Sequence, residues 1–133
     1  MSAVLYRKST LGRSLTVLKA IGWQVGIPSY AWSPPTDVYE TDAAFIVRVE
    51  IAGMRQAEVS IEIEDNVLVI SGVRVDSPER RAYHQMEIRF GEFSTAVELP
   101  PGVDVTRAEA EYDDGFLTVI LPKIKPVNVP IGY

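Results

Sequence analysis

The chain has 133 residues, 47% of them apolar, with 13 Lys and Arg against 18 Asp and Glu and no cysteine. That length suits one domain with room for terminal arms. The missing thiols exclude disulfides, thiolate zinc sites and a cysteine nucleophile, and fit a reducing, cytoplasmic setting.

The charge is split along the chain. Residues 1–36 hold Arg7, Lys8, Arg13 and Lys19 and no acid, a charge of +4. The other 97 residues hold 9 basic and 18 acidic side chains, a balance of −9 that brings the total to −5. Nucleic-acid binding needs clustered Lys and Arg on the surface that meets the phosphates. The one dense basic spot of the body, Arg80-Arg81, is diluted by Asp76, Glu79 and Glu87. No apolar run is long enough to span a bilayer.

Residues 1–35 form an N-terminal arm. Leu11, Leu15, Leu18 and Ile21 stand at helical spacing. Gly12, Gly22 and Gly26 interrupt the pattern and Pro28 ends it, so the arm is expected to be partly helical or disordered. Trp23, Tyr30 and Trp32 follow in an irregular stretch. A helix packed on its own domain, an organelle-targeting leader and a basic segment lying on a membrane surface stay open as lesser alternatives.

From residue 37 the apolar period changes to two. Phe45, Val47, Val49 and Ile51 alternate with Arg48 and Glu50; Val59, Ile61 and Ile63 alternate with Ser60, Glu62 and Glu64. Asp65-Asn66 reads as a tight hairpin turn. Val67–Ile70 is apolar on both faces, the pattern of a strand covered on both sides. The stretch 74–90 is too long for a hairpin turn and too polar for a core strand, and loops of this length in compact domains are usually functional. Its "AYHQMEIRF" holds room for a short protruding strand, which needs another chain to cover its backbone. Phe93, Thr95, Val97 and Leu99 share the next face. Ala108, Ala110 and Tyr112 then lead through an Asp114-Gly115 turn to Phe116–Leu121. Short strands at regular spacing predict an all-β, antiparallel sandwich over residues 36–123.

Residues 124–133 make a C-terminal extension. Val127, Val129 and Ile131 stand at period two, while Pro126 and Pro130 forbid a helix and remove two backbone donors. Such a segment is built to dock as a strand.

Candidate chemistry is sparse. His84 is the sole histidine and lies in the charged loop, where a solvated role is expected. No phosphate-cradling, nucleophile-elbow or zinc-helix motif occurs. Glu62/Glu64 and Glu109/Glu111 alternate on solvent faces of strands, and Asp113-Asp114 makes a turn without the further oxygens that calcium needs. No enzyme activity, metal, cofactor or nucleotide site is expected.

"WSPPTDVYETDAAFIVRVEIAGM", "VLVISGVR", "YHQMEIRFGEFSTAVELPPGVD" and "AEAEYDDGFLTVILPK" together resemble the α-crystallin domain of small heat-shock proteins, over roughly residues 33–123 plus the tail. The resemblance implies an immunoglobulin-like sandwich that forms dimers and larger homo-oligomers and holds unfolding client proteins in soluble form. The long 74–90 stretch is similar to the bacterial and plant type, in which a loop strand, here Ala82, Tyr83, His84, Gln85, Met86 and Glu87, pairs with the neighbouring subunit's sheet. Val129-Pro130-Ile131, with Val127 before it, matches the family's tail motif. The groove expected to accept it is lined by Val67, Val69, Leu117 and Val119. Leu11, Leu15, Leu18, Ile21, Trp23, Val25 and Ile27 are the expected client-binding surface. Two departures stand out. Thr95 occupies a place where family members often carry arginine, and no long polar extension is expected after Pro130. The competing reading is a monomeric, co-chaperone-like adaptor sandwich that binds one folded partner.

Overall fold

Alternating apolar residues build two four-stranded sheets in the computed structural model, which describes residues 30–55, 58–125 and 129–132 and the backbone of 6–8. The strands are β1 (Tyr6–Lys8), β2 (Thr36–Glu40), β3 (Ala44–Glu50), β4 (Val59–Glu64), β5 (Val67–Arg74), β6 (Gly91–Glu98), β7 (Glu109–Asp113) and β8 (Phe116–Pro122). One sheet runs β1-β4-β5-β6 and the other β2-β3-β8-β7. Every pairing within them is antiparallel except the three-residue β1, which runs parallel to β4. A 3-10 segment at Val105–Arg107 is capped by Asp104.

The period of two places the core. In the first sheet Ile61, Ile70 and Thr95 stand in one cross-strand row, and Ile63, Leu68 and Val97 in the next. In the second, Val47, Val119 and Ala110 form a row beside Val49, Leu117 and Tyr112. These faces meet as a single apolar cluster. Fully burying a side chain such as Ile or Leu is worth about 1.5–3 kcal/mol, so these rows dominate the stability of the sandwich.

Both predicted hairpins form. Asp65 and Asn66 have φ of 50° and 63°, and Asp114 and Gly115 have φ of 50° and 86°. Two successive positive φ values make the primed turn whose twist matches antiparallel strands, and Asp, Asn and Gly are the residues that tolerate them. Tyr112 fastens the second hairpin to the rest of the sheet: its hydroxyl donates to the Ile51 carbonyl (2.8 Å) and accepts from the Met54 N–H (3.4 Å).

Two features differ from the expectations, at β5 and at Trp32, and a third bears on Thr95. Val67 and Val69 are only half-buried, so β5 is fully covered on one face alone, through Leu68 and Ile70. Trp32 is a core residue: its N–H donates to the Glu92 carbonyl, its carbonyl accepts from the Ser94 N–H, and its ring meets Phe93 at 5.7 Å between centroids. Thr95 faces the core as well, so an arginine there would have to enter the interior; the threonine hydroxyl instead lies 3.2 Å from that of Thr36, which donates to the Pro34 carbonyl. The helix expected around Leu11–Ile21 lies outside the described residues.

Candidate self-association surfaces

Between β5 and β6 the chain makes a long excursion, residues 75–90, with no strand of its own. A small polar knot shapes its first half. The Asp76 carboxylate accepts from the Ser77 N–H (2.8 Å) and the Tyr83 hydroxyl (3.2 Å), and pairs with Arg81 at 3.5 Å. The Arg81 guanidinium sits 5.5 Å from the centre of the Tyr83 ring. The second half is different. Met86, Ile88 and Phe90 recur at period two, and Met86 and Ile88 are 68% and 67% exposed. An extended segment with this spacing puts all three on one side. Ala82–Glu87 was the stretch expected to pair with a neighbour; all of it is exposed, and the apolar row continues beyond it through Ile88 and Phe90. Both lie within "AYHQMEIRF", the stretch with room for a protruding strand, though the six residues assigned to pairing stopped at Glu87.

The sheets leave edges for such a segment. β2 is the outermost strand of its sheet, hydrogen-bonded only to β3 among the described residues, and its Val38 and Tyr39 are exposed. An uncovered edge carries free N–H and C=O groups that template pairing with another chain.

The C-terminal extension leaves the sandwich after Ile124, whose N–H donates to the Gly102 carbonyl at 2.8 Å. Val129 and Ile131 are 79% and 75% exposed, with Pro130 exposed between them. Val127 lies outside the described residues. The four residues expected to accept the tail do not share an opening within the single chain. Leu117 and Val119 point into the core and are sealed there. Val67 and Val69 lie on the opposite face of their sheet, flanked in cross-strand register by Glu64, Glu98, Glu62 and Ala96. β8 is apolar at every position but Thr118, and the fold shows which alternate residues are covered. The expected client-binding residues, Leu11, Leu15, Leu18, Ile21, Trp23, Val25 and Ile27, also lie outside the described residues.

The outer face of the second sheet holds a shallow hollow of about 370 Å³ lined by Arg48, Glu111, Asp113, Asp114, Phe116 and Thr118. Arg48 is paired there with Asp37 at 3.3 Å and lies over the Tyr39 and Phe116 rings. His84 is exposed in the loop. Among the described residues no cluster of His, Cys, Asp and Glu could hold a metal ion, and no helix is long and apolar enough to cross a membrane.

Comparison with known proteins places this architecture. A family model described as the Hsp20/alpha crystallin family matches residues 37–131. "Small heat shock protein C4" of Rickettsia felis is 34% identical over 93 residues, which cover 68% of this chain and 57% of that protein. Heat shock protein 16.0 from Schizosaccharomyces pombe superposes with a TM-score of 0.63 at 32% identity, covering 76% of this chain and 97% of that one. HSP18.5 from E. histolytica gives 0.65 at 25% identity, covering 76% of this chain and all of that one. The chain spans less than two thirds of the length of such curated relatives.

Proposed function

Because the chain belongs to the Hsp20/alpha crystallin family, we propose that it is an ATP-independent chaperone that works as a dynamic homo-oligomer built from dimers. One observation carries this reading. The chain displays two extended apolar segments, Met86–Phe90 and Val129–Ile131, beside a sheet with an open edge. Both segments lack a ladder within their own chain, as far as the described residues go. Strand addition to another copy satisfies the backbone groups and covers the side chains together.

The two contacts differ in kind. The loop row adds to the open edge of a second sandwich, with β2 as the best-placed acceptor, and makes the dimer. The tail links dimers by docking at a sandwich edge, not on sealed Leu117 and Val119. Burying Val129 and Ile131 is worth about 3–6 kcal/mol before ordering costs. Each tail link is therefore weak and reversible, and many together hold a particle through effective concentration. Unfolding proteins expose apolar surface, and the apolar residues between Leu11 and Ile27 are the surface that would hold them.

The test has two parts. The mass of the intact protein in solution should exceed a dimer, and the Val129→Ala, Ile131→Ala double variant should fall toward a dimer while keeping its β-sheet spectrum. In a client-aggregation assay without nucleotide, the protein should suppress light scattering, and removal of residues 1–29 should abolish that protection. A monomer at micromolar concentration would overturn the oligomer and favour the adaptor reading. Full protection after the deletion would overturn the assignment of clients to the arm.

A further inference from the structure

Arg74, the last residue of β5, gathers three separate parts of the chain around one guanidinium. Its Nε and Nη2 both donate to the Arg89 carbonyl, the Nε bond at 2.8 Å, and its Nη1 donates to the Ala52 carbonyl at 3.3 Å. Its charged carbon stands 4.7 Å from the centre of the Trp32 ring and 5.4 Å from that of Phe90. Both rings lie within the range of a cation–π attraction. Arg89 and Phe90 are the last residues of the 75–90 excursion; Trp32 is the point at which the N-terminal arm joins the sandwich.

We propose that Arg74 is a joint coupling the partner-pairing loop to the root of the arm, so that a change at one loosens the other. The fork is suited to this. A planar guanidinium donates in its plane while its faces stay free for aromatic rings, which an ammonium cannot do. The Trp32 backbone is bonded to Glu92 and Ser94, but its indole is less firmly held. Its indole N–H is buried without a hydrogen-bond partner among the described residues. Such a group opposes burial, so beyond those two backbone bonds the ring is held by its contacts to Arg74 and Phe93. Displacing Arg89 and Phe90 removes two of the anchors that hold the Arg74 guanidinium, and with it one face of the Trp32 seat. Separation of two copies at the loop would then be felt at the start of the arm.

The joint itself is read from the contacts in one chain; its link to subunit separation rests on the loop reading above. The experiment uses the full chain with Trp23→Phe, which leaves Trp32 as the only tryptophan. Arg74→Gln should speed tryptic cleavage at Arg80 and Arg81 by about tenfold, because local opening follows the free energy of the lost clasp. It should also shift Trp32 emission to the red. Arg74→Lys keeps the charge without the fork and should move both readouts in the same direction by less, which decides the matter if the glutamine variant fails to fold. Met86→Asp should shift Trp32 emission when Arg74 is present and add nothing to Arg74→Gln. Wild-type cleavage and emission in both Arg74 variants would overturn the joint. A wild-type particle mass in Met86→Asp would overturn the loop reading instead, and cleavage and emission in the Arg74 variants would still decide the joint.

Discussion

The Phe93 ring passes directly over Gly72 on the neighbouring strand. A β-carbon added at Gly72 would lie 2.8 Å from the ring and 2.2 Å from the Glu58 carbonyl oxygen, closer than real atoms approach. The two residues are cross-strand partners in the β5–β6 ladder, and Phe93 is buried against Trp32. The glycine thus makes room for the largest fully buried side chain of the core.

Gly72→Ala should therefore destabilise the sandwich by overpacking, at about 1–3 kcal/mol. Urea unfolding measures it. Adding Phe93→Leu should return part of that loss, since residues in contact couple in a double-mutant cycle. Additive losses would mean that the alanine clash is with the Glu58 carbonyl alone.

Tyr112→Phe should cost about 1–3 kcal/mol, because the part-buried Ile51 carbonyl and Met54 N–H lose their partner while the ring still fills its place. The change belongs in thermal or urea unfolding, with the β-sheet spectrum of the folded state unchanged. Hydrogen exchange should rise at Met54 before it rises in the core of β3, since the hydroxyl bonds a turn rather than a strand centre.

Much of this architecture was readable in the residues. Phe45, Val47, Val49 and Ile51 announced β3 through a period that nothing but a half-buried strand explains, and Asp65-Asn66 and Asp114-Gly115 announced their turns through tolerance of positive φ. The misses share a cause. Trp32 reads as part of an irregular arm because its burial comes from Phe93 and Arg74, both remote in the chain. The four residues expected to line the acceptor groove do not meet on one surface of the single chain, because a largely apolar run does not say which face is covered; Leu117 and Val119 turn inward while Val67 and Val69 turn out. A three-residue strand such as Tyr6–Lys8 is too short to show any period.

Acid should act on the 3-10 turn through Asp104. The Thr106 hydroxyl donates to its carboxylate at 2.6 Å and the Thr106 N–H at 3.1 Å, and together with nearby Arg107 they hold its pKa below the ordinary value of 3.8. A lowered pKa means that the carboxylate's contribution is fully present above the ordinary value and is lost as pH falls through the folded value. Thr106→Val removes the hydroxyl, the largest cause, so the Asp104 titration followed by NMR should move up toward 3.8. An unmoved titration would show that the backbone donors alone set it.

Charge placed in the exposed loop should separate association from folding. Met86→Asp and Ile88→Asp alter side chains that touch little in their own chain, so each should leave monomer stability within about 0.5 kcal/mol. In the proposed dimer the same side chains are buried against the partner's sheet edge. Losing one such burial, worth about 1.5–3 kcal/mol, weakens association by roughly one to two orders of magnitude. Sedimentation velocity over a dilution series reads the association, and urea unfolding of the dissociated protein reads the fold. Equal loss in both measurements would make Met86 and Ile88 structural residues of the single chain. Loss in neither would remove the loop from the subunit contact altogether and leave β2 with some other neighbour.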